Sequence, residues 1–243
     1  MDASRFIING KVGLPPLTWQ ETFIHMEQLI DAAIDGSITS LFIYGTPGTG
    51  KTERTLVRAR MKGKLRDRDY AMVSGNASAG GLYSVLQHNA SRLNIFDDCD
   101  DAFLADRTGN ILKAALNTRR ERVICWPTKN GSESDQSFLF TGSVIFLSNL
   151  GKDDIEDAVL SRSRCVEIHM ESDDMVEMME EVLPNMCPDV DQAEKREVLD
   201  FLTVPEIREY LEKTSRFDLR TLYKGITDRI TFPDWEEKIL RFV

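Results

Sequence analysis

Short, wholly apolar runs alternate with amphipathic stretches through the first two thirds of this chain. Leu41-Phe42-Ile43-Tyr44 is the first, and Tyr70-Ala71-Met72-Val73, Leu93-Asn94-Ile95-Phe96, Val144-Ile145-Phe146-Leu147 and Cys165-Val166-Glu167-Ile168 follow. Runs this short, with almost no polar alternation, mark strands buried on both faces rather than strands with one wet side. Between them, residues 53–62 are rich in helix formers; Leu82, Val85, Leu86 and Ala90 recur at helical spacing, and Leu112, Ala115 and Leu116 share one helical face. The alternation predicts an α/β fold, a parallel sheet flanked by helices. Ile124-Cys125-Trp126 and Phe138-Leu139-Phe140 flank a polar stretch, 129–136, and predict a hairpin whose tip either meets a partner or is a solvated turn. After about residue 171 the strands cease. Helical periodicity over 173–182, 191–201, 205–213, 219–230 and 234–242 predicts a small all-helical module packed against the first domain.

One junction in this pattern carries chemistry. The first apolar run leads straight into Gly45-Thr46-Pro47-Gly48-Thr49-Gly50-Lys51-Thr52, a complete G-x-x-x-x-G-K-T between a strand and a helix. Glycines let such a loop turn its backbone N–H groups toward phosphate oxygens, and the helix N-terminus adds a positive dipole end. Thr46, Pro47, Gly48, Thr49 and Gly50 form the cradle, Lys51 supplies a cation for the β- and γ-phosphates, and the Thr52 hydroxyl is a ligand for Mg²⁺. The chain is expected to bind ATP with Mg²⁺. A second junction supports this: the third apolar run ends in Asp97-Asp98, at the strand edge where ligands of open α/β sheets bind. Asp97 is the candidate metal carboxylate and Asp98 the group that polarises the attacking water. Asp100 and Asp101 are either further acids of the site or the first turn of a helix. The division is then an N-terminal segment over 1–35, a nucleotide-binding α/β domain over 36–171 and a helical lid over 172–243.

Charge narrows the range of partners. The 243 residues carry 40 acidic against 30 basic side chains, a formal net charge of −10. That balance argues against a protein whose task is coating nucleic acid by phosphate neutralisation, while leaving room for a local basic strip. Arg119, Arg120 and Arg122 form one cluster, either turned into a pore or solvated at a helix end. No apolar run approaches the ~18 residues needed to span a membrane, and the start, MDASRFIINGKVG, lacks a signal-peptide pattern. A cytoplasmic location is expected. Cys99, Cys125, Cys165 and Cys187 form no C-x-x-C pair and the three histidines are scattered, so the cysteines read as structural and no transition-metal site is expected.

The order and spacing of these motifs resemble the AAA+ ATPases, from about residue 36 to the C-terminus. The resemblance implies a P-loop strand at the centre of the sheet and further elements that read the triphosphate. Asn149, ending Val144-Ile145-Phe146-Leu147-Ser148-Asn149, matches the polar sensor 1 position. The stretch 157–165, with Ser161-Arg162-Ser163-Arg164-Cys165, resembles the arginine-finger segment: Arg162 is the favoured finger, acting on a neighbour's nucleotide, and Arg164 a second interface contact. Arg220, in Ser215-Arg216-Phe217-Asp218-Leu219-Arg220, matches the sensor 2 helix, and Asn76 the polar switch that restrains the catalytic acid. Tyr83, after Gly80-Gly81, is either a pore-loop aromatic or part of a core-facing helix. The family usually has Asp-Glu where this chain has Asp97-Asp98, and the shorter side chain puts the rate of hydrolysis in doubt.

A finger acting on a neighbour implies a homo-oligomer with head-to-tail contacts, a ring or spiral. Six subunits are the family habit and five the clamp-loader habit. With only about 35 residues ahead of the core, the chain resembles small AAA+ proteins of phages and bacterial mobile elements, clamp-loader subunits and helicase loaders. The implied function is an ATP-hydrolysing motor that remodels or translocates a protein or nucleoprotein partner; the alternative is an ATP-gated loader in DNA replication.

Overall fold

The computed structural model describes residues 7–8, 11–12, 16–75, 78–100, 106–126, 137–155 and 157–242. In chain order, the two short strands β1 (Ile7–Ile8) and β2 (Lys11–Val12) precede helix α1 (Trp19–Ile34). The sequence of the α/β part is then β3 (Ser40–Gly45), α2 (Lys51–Met61), β4 (Tyr70–Ser74), α3 (Ala79–His88), β5 (Leu93–Asp97) and α4 (Asp106–Ala115). It continues with β6 (Arg122–Cys125), β7 (Ser137–Phe140), β8 (Val144–Leu147), the short α5 (Asp157–Leu160) and β9 (Arg164–Ile168). Five C-terminal helices close the chain: α6 (Ser172–Val182), α7 (Gln192–Leu202), α8 (Pro205–Lys213), α9 (Leu219–Thr231) and α10 (Trp235–Phe242).

All five apolar runs become strands of one parallel sheet, in the order β4-β5-β8-β3-β9. Their register is regular: Phe42 lies beside Phe146 on one side and Cys165 on the other. The P-loop strand β3 is interior but next to the edge strand β9, not at the centre as the resemblance implied. Side chains alternate between two cores. Leu41, Ile43, Ile95, Ile145 and Leu147 join α1 and the C-terminal helices, while Phe42, Phe96 and Phe146 stack with α3, α4 and the hairpin. Among the described residues, no helix is long and apolar enough to cross a membrane.

One feature lies outside the sequence-based expectation. Helix α1 occupies the stretch assigned to an N-terminal segment, and it buries Trp19, Phe23, Met26, Ile30 and Ile34 against the sheet and the C-terminal helices. Its local signal is a reciprocal capping box: Thr18 accepts from the Glu21 amide, and Glu21 accepts from that of Thr18. The hairpin is present, with Val123 opposite Leu139 and Ile124 opposite Phe138; its tip, 127–136, is outside the described residues.

Two candidate side chains are placed differently from their functional readings. Tyr83 is buried on α3, its ring edge-on to Trp126 at 5.4 Å and to Phe138 at 5.2 Å, so it belongs to the core and not to a loop. Arg122 is neither in a pore nor solvated. It is buried, its guanidinium lies 4.6 Å over the Phe140 ring, and it donates to the carbonyls of Ala115 and Gly142. Of the cysteines, Cys99 is buried but Cys125 and Cys165 are exposed.

Candidate functional site

The site forms where β3, β5 and β8 end. At the mouth of β3 the chain needs glycine: Gly45 has φ +114°, and a Cβ there would lie 2.2 Å from the carbonyl oxygen of Ile168. That contact, and the Thr46 amide donating to Ile168 O at 2.8 Å, ties the loop to the end of β9. The loop then turns into α2, whose first residue is Lys51. Lys51 is only 6% exposed and donates to three neutral acceptors: Gly45 O at 3.0 Å, Thr46 O at 2.8 Å and Asn149 Oδ1 at 3.0 Å. Its three ammonium protons are thereby used without a direct ion pair. Burial lowers its pKa to about 8, against the opposing pull of the Asp98 carboxylate.

Asn149 is the hub. While its oxygen accepts from Lys51, its Nδ2 donates to Asp98 Oδ1 at 2.6 Å. Only this orientation of the amide satisfies both partners. Asp98 itself has φ +52°, a left-handed conformation that Asp tolerates better than most residues, and its amide donates to Leu147 O at 3.1 Å. Beside it, Thr52 Oγ1 donates to Asp97 Oδ1 at 2.8 Å, and burial holds the Asp97 carboxyl above its usual range. A hydroxyl and a carboxylate at that separation make a hard oxygen pair suited to Mg²⁺. Lys51, Thr52, Asp97, Asp98 and Asn149, predicted from three separate segments, thus converge on one place.

The C-terminal helices roof it. The Leu219 amide donates to Gly48 O at 3.1 Å, and Asp218, the N-cap of α9, fills the space a Cβ on Gly48 would need. Next in sequence, the exposed Arg220 lines the same cavity, which holds about 960 Å³. Its walls run from Thr49 and Gly50, past Asp97, Asp98 and Asn149, to a far side made of Val57, Val182, Met186, Cys187 and Tyr223. That far side, together with Asp218, carries no motif. The lining residues of α6 and the turn after it are separated from the P-loop by well over half the chain, and the one local signal is Asp218 as an N-cap ahead of α9.

Arg162 and Arg164 are elsewhere. Arg164 pairs with Leu41 at the start of β3, whereas the P-loop begins at Gly45, four residues or roughly 13 Å along the strand. Arg162 lies before it, donates to Ala158 O at 2.6 Å and, through its carbonyl, accepts from Ser40 Oγ. Neither lines the cavity of its own chain. Asn76 and Asp101 are outside the described residues.

The residues present fit a bound Mg·nucleoside triphosphate. A buried ammonium held only by carbonyl-type oxygens lacks an anion, and the cavity is large enough for a nucleotide. No family model matches the sequence. A protein of Enterobacteria phage T4, described as an uncharacterised 36.7 kDa protein of the nrdC–mobD intergenic region, is 31% identical over 137 residues. That match takes in 53% of this chain and 41% of the phage protein, so the chain spans about two fifths of its relative. Among solved structures, the RuvB Holliday junction branch migration motor of Thermotoga maritima is similar with a TM-score of 0.54 at 13% identity, over 92% of this chain and 69% of that one. A single-substitution form of the same RuvB gives a TM-score of 0.51 at 13% identity, over 93% and 71%. Shared topology at so low an identity establishes architecture alone: the chain has a RuvB-like α/β fold, a parallel sheet flanked by helices with a C-terminal helical region.

Proposed function

We propose that this protein is an Mg²⁺-dependent ATPase that works as a head-to-tail AAA+ homo-oligomer and spends the hydrolysis cycle on remodelling or translocating a protein or nucleoprotein partner. The observation that carries the reading is the hydrogen-bonded run Lys51–Asn149–Asp98, beside the Thr52–Asp97 pair in a cavity also lined by Arg220. Thr46 to Lys51 hold the phosphates, and Thr52 with Asp97 hold the metal, which when bound neutralises charge on the β- and γ-oxygens. Asp98 takes a proton from the attacking water and Asn149 orients it. Arg162, with Arg164 beside it, sits at the opposite end of the strands, where a guanidinium serves a neighbour's γ-phosphate and not its own. RuvB, a structural neighbour, is a Holliday junction branch migration motor, which favours the motor reading.

A second reading has its own observation. Asp98 is one methylene shorter than the family's glutamate, and Asn149 already holds one of its oxygens. An ATP-gated loader, which binds nucleotide tightly and hydrolyses slowly, suits that arrangement. The two are separated by ATPase activity per subunit measured against protein concentration, with Arg162→Ala beside the wild type. Activity that climbs with concentration and falls about 10³-fold or more in the variant establishes a shared active site. Flat activity, indifferent to the substitution, removes the finger and the oligomer. Tight ATP binding with negligible turnover, even with candidate partners added, selects the loader.

A further inference from the structure

The net charge of −10 is unevenly placed. Residues 172–243, the C-terminal helices, hold 18 acidic against 10 basic residues. At the other end of the molecule the strands of the sheet begin, and their leading loops carry Lys64 and Arg66 with Arg68 before β4 and Arg92 before β5, while Arg119 with Arg120 precede the hairpin strand β6. Acids in the same loops are Asp67, Asp69 and Glu121.

Hydrogen bonds join these loops into a single surface. Arg92 donates to the carbonyl of Asp67, linking the β4 and β5 loops. The Thr141 and Gly142 amides donate to Ala90 O, and Arg122 donates to Gly142 O and Ala115 O, which brings the α4–β6 loop alongside. Thr39 Oγ1 reaches Asn117 O at 3.4 Å, and Ser40 Oγ reaches both Leu116 O and Arg162 O. Five parallel strands at ~4.8 Å spacing make this rim roughly 19 Å long.

What distinguishes the rim is the state of its cations. Elsewhere on the described surface several guanidinium groups are matched with carboxylates, Arg58 with Asp31, Arg208 with Asp173 and Arg229 with Glu197, while Arg162, Arg164 and Arg220 form no such ion pair. On the rim, Arg68 alone of the six has a carboxylate partner, Asp69. Arg66 and Arg92 find only neutral oxygens, Lys64 acts on the Asp69 carboxylate through space alone, and Arg119 and Arg120 have no side-chain hydrogen bond or ion pair among the described residues. All of them except the half-buried Lys64 are exposed. Cations gathered in excess of their counter-ions raise the energy of the free protein and reward an external polyanion.

We propose that this rim, at the end of the sheet away from the nucleotide, is a binding surface for the phosphodiester backbone of nucleic acid. Five of the six cations are arginines, whose planar fork matches phosphate oxygens bidentately. A backbone strand places a charge every ~3.4 Å, so the rim spans five or six phosphates, about one for each cation. The acidic C-terminal helices of a second copy fit these loops less well. They already engage their carboxylates internally, as Glu180 and Asp200 do with Arg196, and Glu194 and Glu197 with Arg229. The surface reads charge and not sequence, and it needs neither ATP nor the cavity residues.

The test is fluorescence anisotropy of a short mixed-sequence DNA duplex, without nucleotide, across a salt series. Wild type should bind, with affinity falling about 10³-fold between about 50 and 200 mM salt, as six neutralised phosphates require. The triple variant Arg66→Ala, Arg119→Ala, Arg120→Ala should bind more weakly and lose only ~40-fold over the same interval. Its thermal melt and ATP binding should match wild type. Glu121→Lys is the reciprocal variant, which no misfolding can imitate: it should tighten binding and steepen the log–log salt slope by about one. An absence of binding at the lowest salt overturns the proposal, as does a slope that neither the triple variant nor Glu121→Lys changes. Salt-dependent self-association that the triple variant abolishes, with no DNA bound, also overturns it and assigns the rim to a second copy.

Discussion

Lys51 carries its charge into a nearly dry place and is repaid there only by carbonyl-type oxygens. Burial brings its pKa to about 8, below the ordinary 10.5 of an unfolded chain. Between those values the unfolded chain binds more protons than the folded one, so this group's contribution to stability rises with pH; below about 8 the protonated, desolvated form costs the native state its full penalty. Nucleotide binding has the opposite dependence. A triphosphate needs the ammonium, and its negative charge pulls the Lys51 pKa back up. ATP affinity should therefore fall above pH 8, by up to about tenfold per unit, with proton uptake on binding. Titration calorimetry at a pH above 8, in buffers of different ionisation enthalpy, should find an uptake approaching one proton. In Lys51→Arg, which stays charged, the uptake should vanish. An uptake that survives the substitution places the titrating group elsewhere.

At the scale of elements, β6 and the loop before it show how a charge motif in sequence becomes a core residue in the fold. Arg119, Arg120 and Arg122 look alike along the chain, but strand alternation sends Arg122 inward and leaves Val123 exposed. Burial drops the Arg122 pKa to about 10 while its donors hold the carbonyls of Ala115 and Gly142, joining α4 to the strand β8. Arg122→Met should lower the urea midpoint with an unchanged m value, by about 1–3 kcal/mol, because two buried carbonyls lose their partner and a new apolar side chain recovers only part of that. A solvated or phosphate-contacting arginine would give no change. The same physics explains what could be read in advance. Apolar runs on both-face-buried strands and the G-x-x-x-x-G-K-T loop are local, so β3 to β9, Lys51, Thr52 and the Asp97–Asp98 edge were legible from neighbours in sequence. Tyr83 and Arg122 were not, since their partners Trp126, Phe138, Ala115 and Gly142 come from other elements. Helix α1 had a legible cap and a regular apolar stripe, but its packing against β3, β8 and β9 is a long-range fact.

Over the whole molecule, the nucleotide loop and the C-terminal helices are one mechanical unit. A single apolar cluster runs from α1 through one face of the sheet into α6, α7, α9 and α10, and the Trp19 indole donates to Glu177 of α6 at 3.0 Å. The contact nearest the chemistry is smaller: Leu219 N on Gly48 O, with the Asp218 carboxylate over Gly48 and its other oxygen capping α9 at Thr221 N, 2.8 Å away. Arg220 enters the cavity only while that turn stays seated. Asp218→Ala removes the cap, worth about 1 kcal/mol, and with it the filler above Gly48. ATP should then bind roughly fivefold more weakly, and hydrogen exchange should quicken at the Leu219 and Thr221 amides before it does so in α7 or α10. Asp218→Asn, which caps a helix equally well, should behave as wild type in both measurements. If the asparagine variant loses as much as the alanine one, the carboxylate's charge and not its capping bond seats the helices on the P-loop. If neither variant moves exchange at Leu219, the Gly48 carbonyl holds α9 by itself, and Arg220 is carried into place by the shared core instead of by the loop that grips the phosphates.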